Sequence, residues 1–179
     1  MDELVTGLQL LGGAIGGGKV VEKILGPIAG LSAYQIRSHY IFYRAIKKAF
    51  DGIDLNIGES IVRAKMQLYI PYSTYEIAMD FAGNEEDQVK SDLMSHSIIG
   101  LHRLGLVENC RYGPLDHIQK VYSNAKEGGI IITPAALGVE LLMWAYGYGQ
   151  MPINNFLRSS TLLYDDQNIK ISDVFKVKE

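Results

Sequence analysis

The sequence holds a single cysteine, Cys110, in 179 residues. An internal disulfide needs two cysteines and a thiolate metal cage needs more, so neither holds this fold together. Histidine is also scarce, at His39, His96, His102 and His117. No two of them stand four apart, and neither H-E-x-x-H nor E-x-x-H occurs, so a helical metal site is not expected. No serine sits in a G-x-S-x-G elbow. A Cys110–His117 nucleophilic pair would need a tertiary contact that the spacing does not supply. The expectation is therefore a protein with no catalytic residue, no cofactor and no metal, and not an enzyme.

Long apolar runs are lacking too. Residues 4–31 come nearest, but Lys19, Glu22, Lys23 and Pro27 interrupt them and leave about fifteen uncharged residues, short of a membrane span. Positive charge is missing where a nucleic-acid reader would need it. Residues 76–147 carry five Lys/Arg against ten Asp/Glu, whereas residues 1–50 carry six against three. Phosphate neutralisation supplies most of a duplex binder's affinity, so this balance counts against DNA. Asp2 and Glu3 stand where a secretory leader would be basic, and a cytoplasmic setting is expected.

What is present suits a globular chain, with 47% hydrophobic and 21% charged residues. Three divisions are expected: a Gly-rich arm and basic amphipathic helix over 1–52, a winged-helix-like domain over 53–147, and a C-terminal extension with a β-hairpin over 148–179. The fold class is mainly α with a small β component. Its centre is the stretch from Asp92 to Gly147. There, Leu93, Met94, Ser97, Leu101 and Leu104 mark the buried side of a helix that ends near Gly105. Leu106–Cys110 reads as a strand, Arg111–Gly128 as a wing in which Pro114 can start a short helix, and Ile130–Ile132 as a second strand. Thr133-Pro134 reads as the cap and first residue of a helix running to Tyr146, with Leu137, Leu141, Leu142 and Ala145 facing the core.

Upstream, Ser32 can cap a helix to Phe50 whose apolar face is Ile36, Tyr40, Tyr43, Ile46 and Phe50, with Arg37, Arg44, Lys47 and Lys48 elsewhere on it. Asp51-Gly52 stops that helix. Residues 59–70 read as a further helix ended by Pro71, and Ser73 or Thr74 as the cap of the next. Downstream, Thr161–Tyr164 and Ile169–Ile171 flank Asp165–Asn168 in the pattern of a hairpin. At the other end, Gly12/Gly16 and Gly13/Gly17 stand four apart, which allows close helix packing and makes these four residues the expected association arm. Gly13 to Lys19 also has phosphate-loop spacing, but Val20 stands where the Mg²⁺-binding hydroxyl belongs, so no nucleotide site is expected.

Two stretches carry a likeness to a known family. Leu101-His-Arg-Leu-Gly-Leu-Val-Glu108 with Ile132-Thr-Pro-Ala-Ala-Leu-Gly138, and Lys23-Ile-Leu-Gly-Pro-Ile-Ala29 ahead of the Ser32–Phe50 helix, resemble the Abi-alpha-like bacterial family of unknown function. That family's N-L-x-R-L-G-L-I-E, L-T-x-x-G and L-G-P-x-A segments are the corresponding runs, and its W-A-N-L-L segment has no counterpart here. The resemblance implies a bacterial or prophage protein linked to phage defence, with no established enzymatic activity.

The leading expectation is an adaptor that associates with a protein partner or with itself, as a homo-oligomer. The alternative is a DNA-binding regulator reading through Ser95, His96, Gly100 and Arg103, with Arg111 and Lys120 on the backbone. A third reading lays residues 4–31 on a membrane surface, steered by the basic helix.

Overall fold

The computed structural model describes residues 29–81, 87–158, 171 and 173–177. The arm with Gly12, Gly13, Gly16 and Gly17, and the hairpin around Asp165–Asn168, lie outside the described residues. Helices and a four-stranded antiparallel sheet make up the described part.

Helix α1, Ala33–Phe50, begins in a capping box. Gln35 N–H donates to Ser32 Oγ and Ser32 N–H donates back to Gln35 Oε1 at 2.8 Å, so two of the first-turn donors find partners. Gly52, with φ of 69°, turns the chain away after Asp51. The expected apolar stripe is too narrow. Ser38, His39, Ile41, Phe42 and Ala45 are buried beside Tyr43, Ile46 and Phe50, whereas Ile36 and Tyr40 are only half-buried. Helices and sheet pack around α1 from several directions, so it is a central element and not a surface one. Lys47 is the corollary. Expected on a solvated face, it is 1% exposed, and its ammonium donates to Asp51 Oδ1 at 2.5 Å and to the Leu157 carbonyl at 2.8 Å.

Residues 59–70 are not one helix. A single turn, α2 (Ser60–Arg63), is followed by strand β1, Leu68–Pro71, buried throughout. Leu-Tyr-Ile suits a strand as well as a helix, and pairing with Ile130–Ile132 decides it. Helix α3, Tyr72–Met79, follows without a side-chain cap; neither Ser73 nor Thr74 serves. Helix α4 spans Asp87–Arg103 and strand β2 spans Val107–Gly113.

The excursion expected as a wing holds helix α5, Leu115–Gln119, before strand β3, Gly129–Pro134. Here the expected helix start is corrected. Thr133 and Pro134 belong to the strand, and helix α6, Ala136–Ala145, starts after Ala135 with no side-chain cap. Instead, Ala135 N–H donates to the Tyr43 hydroxyl at 2.9 Å, so α1 serves the start of α6. A short helix α7, Asn155–Arg158, and strand β4, Phe175–Lys176, complete the described elements.

Strand order is β2-β3-β1-β4. Alternation sends Cys110, Tyr112, Ile130, Ile132, Leu68 and Ile70 into the main core with α1, α4 and α6. The other face carries Arg111, Ile131, Tyr69 and Phe175 as one row across all four strands. Ile118 of α5 and Ala125 cover its middle, and the rings of Tyr69, Tyr122 and Phe175 lie 5.2–6.3 Å apart. The excursion is thus a roof over the sheet. Phe50, Leu142, Phe156 and Leu157 share the core with the residues between them.

Candidate interaction surface

Helix α4 has two unlike sides. Ser97, Ile98 and Leu101 are buried, and Met94 and Leu104 pack beside them. Its end is fixed by backbone geometry: Gly105, at φ 68°, lets Gly105 N–H reach the His102 carbonyl at 3.0 Å and Leu106 N–H the Leu101 carbonyl at 2.9 Å. One flank lies against the start of α1. Ser32 Oγ is 3.3 Å from His96 Nε2, and a Cβ on Gly100 would overlap the Gln35 side chain.

The opposite side faces solvent. At 100° per residue, Gln88, Val89, Asp92, Ser95, His96, Ile99, His102 and Arg103 occupy the sector away from Leu101. All of these except half-buried Ser95 are exposed. Val89 and Ile99 leave 45% and 38% of their surface in water. Arg103 is the one Lys or Arg there, since Lys90 lies on the other side with its side chain 20% exposed. Asp92 accepts a hydrogen bond from Gln88 Nε2 at 2.9 Å.

Of the residues expected to meet DNA, Ser95, His96 and Arg103 share this outer side. Gly100 does not; its place is the close approach to Gln35. Arg111 and Lys120 are exposed, but Arg111 belongs to the sheet face under α5, opposite the face toward which α4 packs, and Lys120 follows α5. The two halves of the expected reading surface are therefore not side by side. Reasoning from apolar residues alone missed Val89, Asp92 and Ile99. Their signal was the spacing 89, 92, 96, 99, 103.

A cleft of 620 Å³ opens between α3, the first turns of α4 and the end of β2. Tyr72, Phe81, Met94 and Tyr112 wall it, and Glu76 and Lys90 reach it. Burial, with Tyr112 and Glu76 nearby, pushes the Tyr72 phenol up to about 12, so it stays a neutral hydroxyl at physiological pH. Lys90 Nζ stands 3.8 Å from Asp87, whose side chain is fully exposed.

Four further residues are held by contacts or burial within the fold. His39 is buried with Nε2 3.0 Å from the Gly138 carbonyl, and burial depresses its pKa to about 4. Tyr43 donates to the Leu106 carbonyl at 2.6 Å, and burial pushes its phenol well above the ordinary range. Arg63 donates from Nε to Glu108 Oε1 at 2.6 Å, and from its terminal nitrogen to the Ile57 and Gly58 carbonyls. Burial raises the Cys110 thiol, the reverse of nucleophile activation. Among the described residues no group of three or more His, Cys, Asp or Glu could hold a metal ion. No described helix is long and apolar enough to cross a membrane. Comparison with family models, curated proteins and solved structures returned no match to this chain.

Proposed function

We propose that this chain is a non-catalytic interaction protein built on a winged helix-turn-helix, in which the helix that would read DNA serves protein association instead. Support for the winged helix is the order α1, β1, α3, α4, β2, β3, with β3 lying between β1 and β2. In this reading α3 and α4 are the helix-turn-helix, and α5 is an insertion that roofs the sheet. The Gly-rich arm adds a second contact element, supported by the spacing of Gly12/Gly16 and Gly13/Gly17.

One observation carries the association reading over the DNA reading: the composition of the outer side of α4. A duplex binder gains affinity with each phosphate it neutralises. This helix offers Arg103 alone, sets Asp92 on the same side, and adds exposed Val89 and Ile99. Such a surface repels a polyanion about as much as it attracts one, and its apolar side chains gain by being covered.

An electrophoretic shift assay with the full chain and mixed-sequence duplex tests this. At about 20 mM salt, where phosphate contacts are strongest, no shift is expected up to about 10 μM protein. A shift lost on Arg103→Ala would overturn the reading in favour of the DNA-binding regulator.

A further inference from the structure

The outer side of α4 has a period as well as a composition. Val89, Asp92, His96, Ile99 and Arg103 follow one another at intervals of three, four, three and four, and all five are exposed. That is the a/d spacing of a two-stranded coiled coil over two heptads, filled here by two apolar residues, one imidazole and two opposite charges. A helix of 17 residues whose buried side is already committed to the core thus carries a second seam exposed to solvent, with His96 Nε2 also 3.3 Å from Ser32 Oγ.

We propose that the occupant of this seam is α4 of a second copy, lying antiparallel across a two-fold axis. In an antiparallel pair, a positions layer against d positions. With Val89, His96 and Arg103 as a and Asp92 and Ile99 as d, the register that pairs residues summing to 195 sets His96 against Ile99 of the other copy. It also sets Arg103 against Asp92 of the other copy. Symmetry repeats both layers, so one register matches two opposite-charge pairs at the ends and two apolar–imidazole layers between them. A parallel pair would stack Asp92 on Asp92 and Arg103 on Arg103, which disfavours it. Asp92 and Arg103 make no ion pair among the described residues, so pairing across the axis breaks no salt bridge.

Two heptads bury less than a standard interface, so association is weak, with Kd of about 10–100 μM. This inference rests on the association reading above and gives it a partner and a register. Sedimentation velocity on the full chain, from about 5 μM to about 500 μM, tests it. Average mass should rise from monomer towards dimer. Asp92→Arg and Arg103→Asp, each setting like charges together twice, should each hold the protein at monomer mass, as should Ile99→Asp. The double variant D92R/R103D restores opposite charges with the sign exchanged and should recover the dimer.

Recovery is the discriminating result, because a residue important only for folding is not rescued by charge exchange. Wild-type monomer at every concentration, single variants that remain dimeric, or a double variant that stays monomeric would each overturn the pairing. The wild-type series needs no variant to fold, and all the substituted side chains are exposed. Failure here without a DNA shift leaves the association reading standing, whereas an Arg103-dependent DNA shift removes that reading whatever the mass.

Discussion

His39 should make this protein lose stability in weak acid, by an amount that its position in the structure sets. The imidazole is buried against Tyr43, whose ring centroid is 4.6 Å away, and its Nε2 lies 3.0 Å from the Gly138 carbonyl. One neutral tautomer, with the proton on Nε2, satisfies that carbonyl. Burial disfavours the imidazolium and lowers the pKa from 6.5 to about 4; the hydrogen bond opposes this and is the smaller effect. Between those two pH values the unfolded chain binds a proton that the folded chain does not, so stability falls as pH falls. Above the unfolded value there is no cost, and below the folded value the cost is complete. Each unit contributes about 1.4 kcal/mol, so the full loss is about 3 kcal/mol, and about 2 kcal/mol is lost by about pH 5. Urea unfolding of wild type and His39→Gln over this range would measure it. Glutamine keeps an N–H donor near the Gly138 carbonyl and removes the titration. Every other residue is common to both proteins, so its contribution cancels in the difference. Wild type should weaken relative to the variant on acidification. Parallel curves would refute the argument that a neutral, buried His39 sets this dependence.

Three further perturbations concern the joints around α1. Tyr43→Phe removes the acceptor for Ala135 N–H and the donor to the Leu106 carbonyl, and should cost about 2–4 kcal/mol in chemical denaturation. Gly138→Ala should cost about 3 kcal/mol or more, because a Cβ there overlaps the Tyr43 hydroxyl and the Leu106 carbonyl, neither of which can retreat. Arg63→Ala orphans the Ile57 and Gly58 carbonyls and the Glu108 carboxylate. With the Glu108 side chain 28% exposed, the expected loss is at the lower end for a buried pair, about 2–3 kcal/mol, and Arg63→Ala/Glu108→Ala should cost little more than Arg63→Ala alone.

Local chemistry made some elements legible and tertiary pairing hid others. Ser32 announces the start of α1, and Gly105 the end of α4, because capping and a left-handed residue act within a few positions. Leu68–Pro71 is different. Its strand state depends on β3, some sixty residues on, and a four-residue apolar run has no periodicity of its own to show it. The same dependence misplaces the start of α6. Thr133-Pro134 has the composition of a helix start, but the ladder partners of β3 hold both residues extended, and Tyr43, distant in sequence, accepts the Ala135 N–H where α6 begins. Lys47 illustrates the limit for charges. A lysine in the last turn of a helix suits solvent and the helix dipole, and only the arrival of α7 shows that its ammonium meets a buried carbonyl.

The outer seam of α4 shows why the candidate site was half visible. Periodicity counts apolar residues, and by that count Leu93, Met94, Ser97, Leu101 and Leu104 form one stripe that explains the helix. Val89 and Ile99 then look incidental, and Asp92, His96 and Arg103 look like ordinary solvated positions. Structure alters their weight, because the apolar stripe is spent on α1 and the sheet and five positions at heptad spacing remain exposed. A seam of two apolar, one imidazole and two oppositely charged residues is too polar to drive strong association, yet its charges agree with only one pairing direction. Register therefore comes from Asp92 and Arg103, and adhesion from Ile99 against His96 of the other copy. This division predicts that Ile99→Asp abolishes dimers irrecoverably, whereas the charge variants abolish them in a way that exchange repairs.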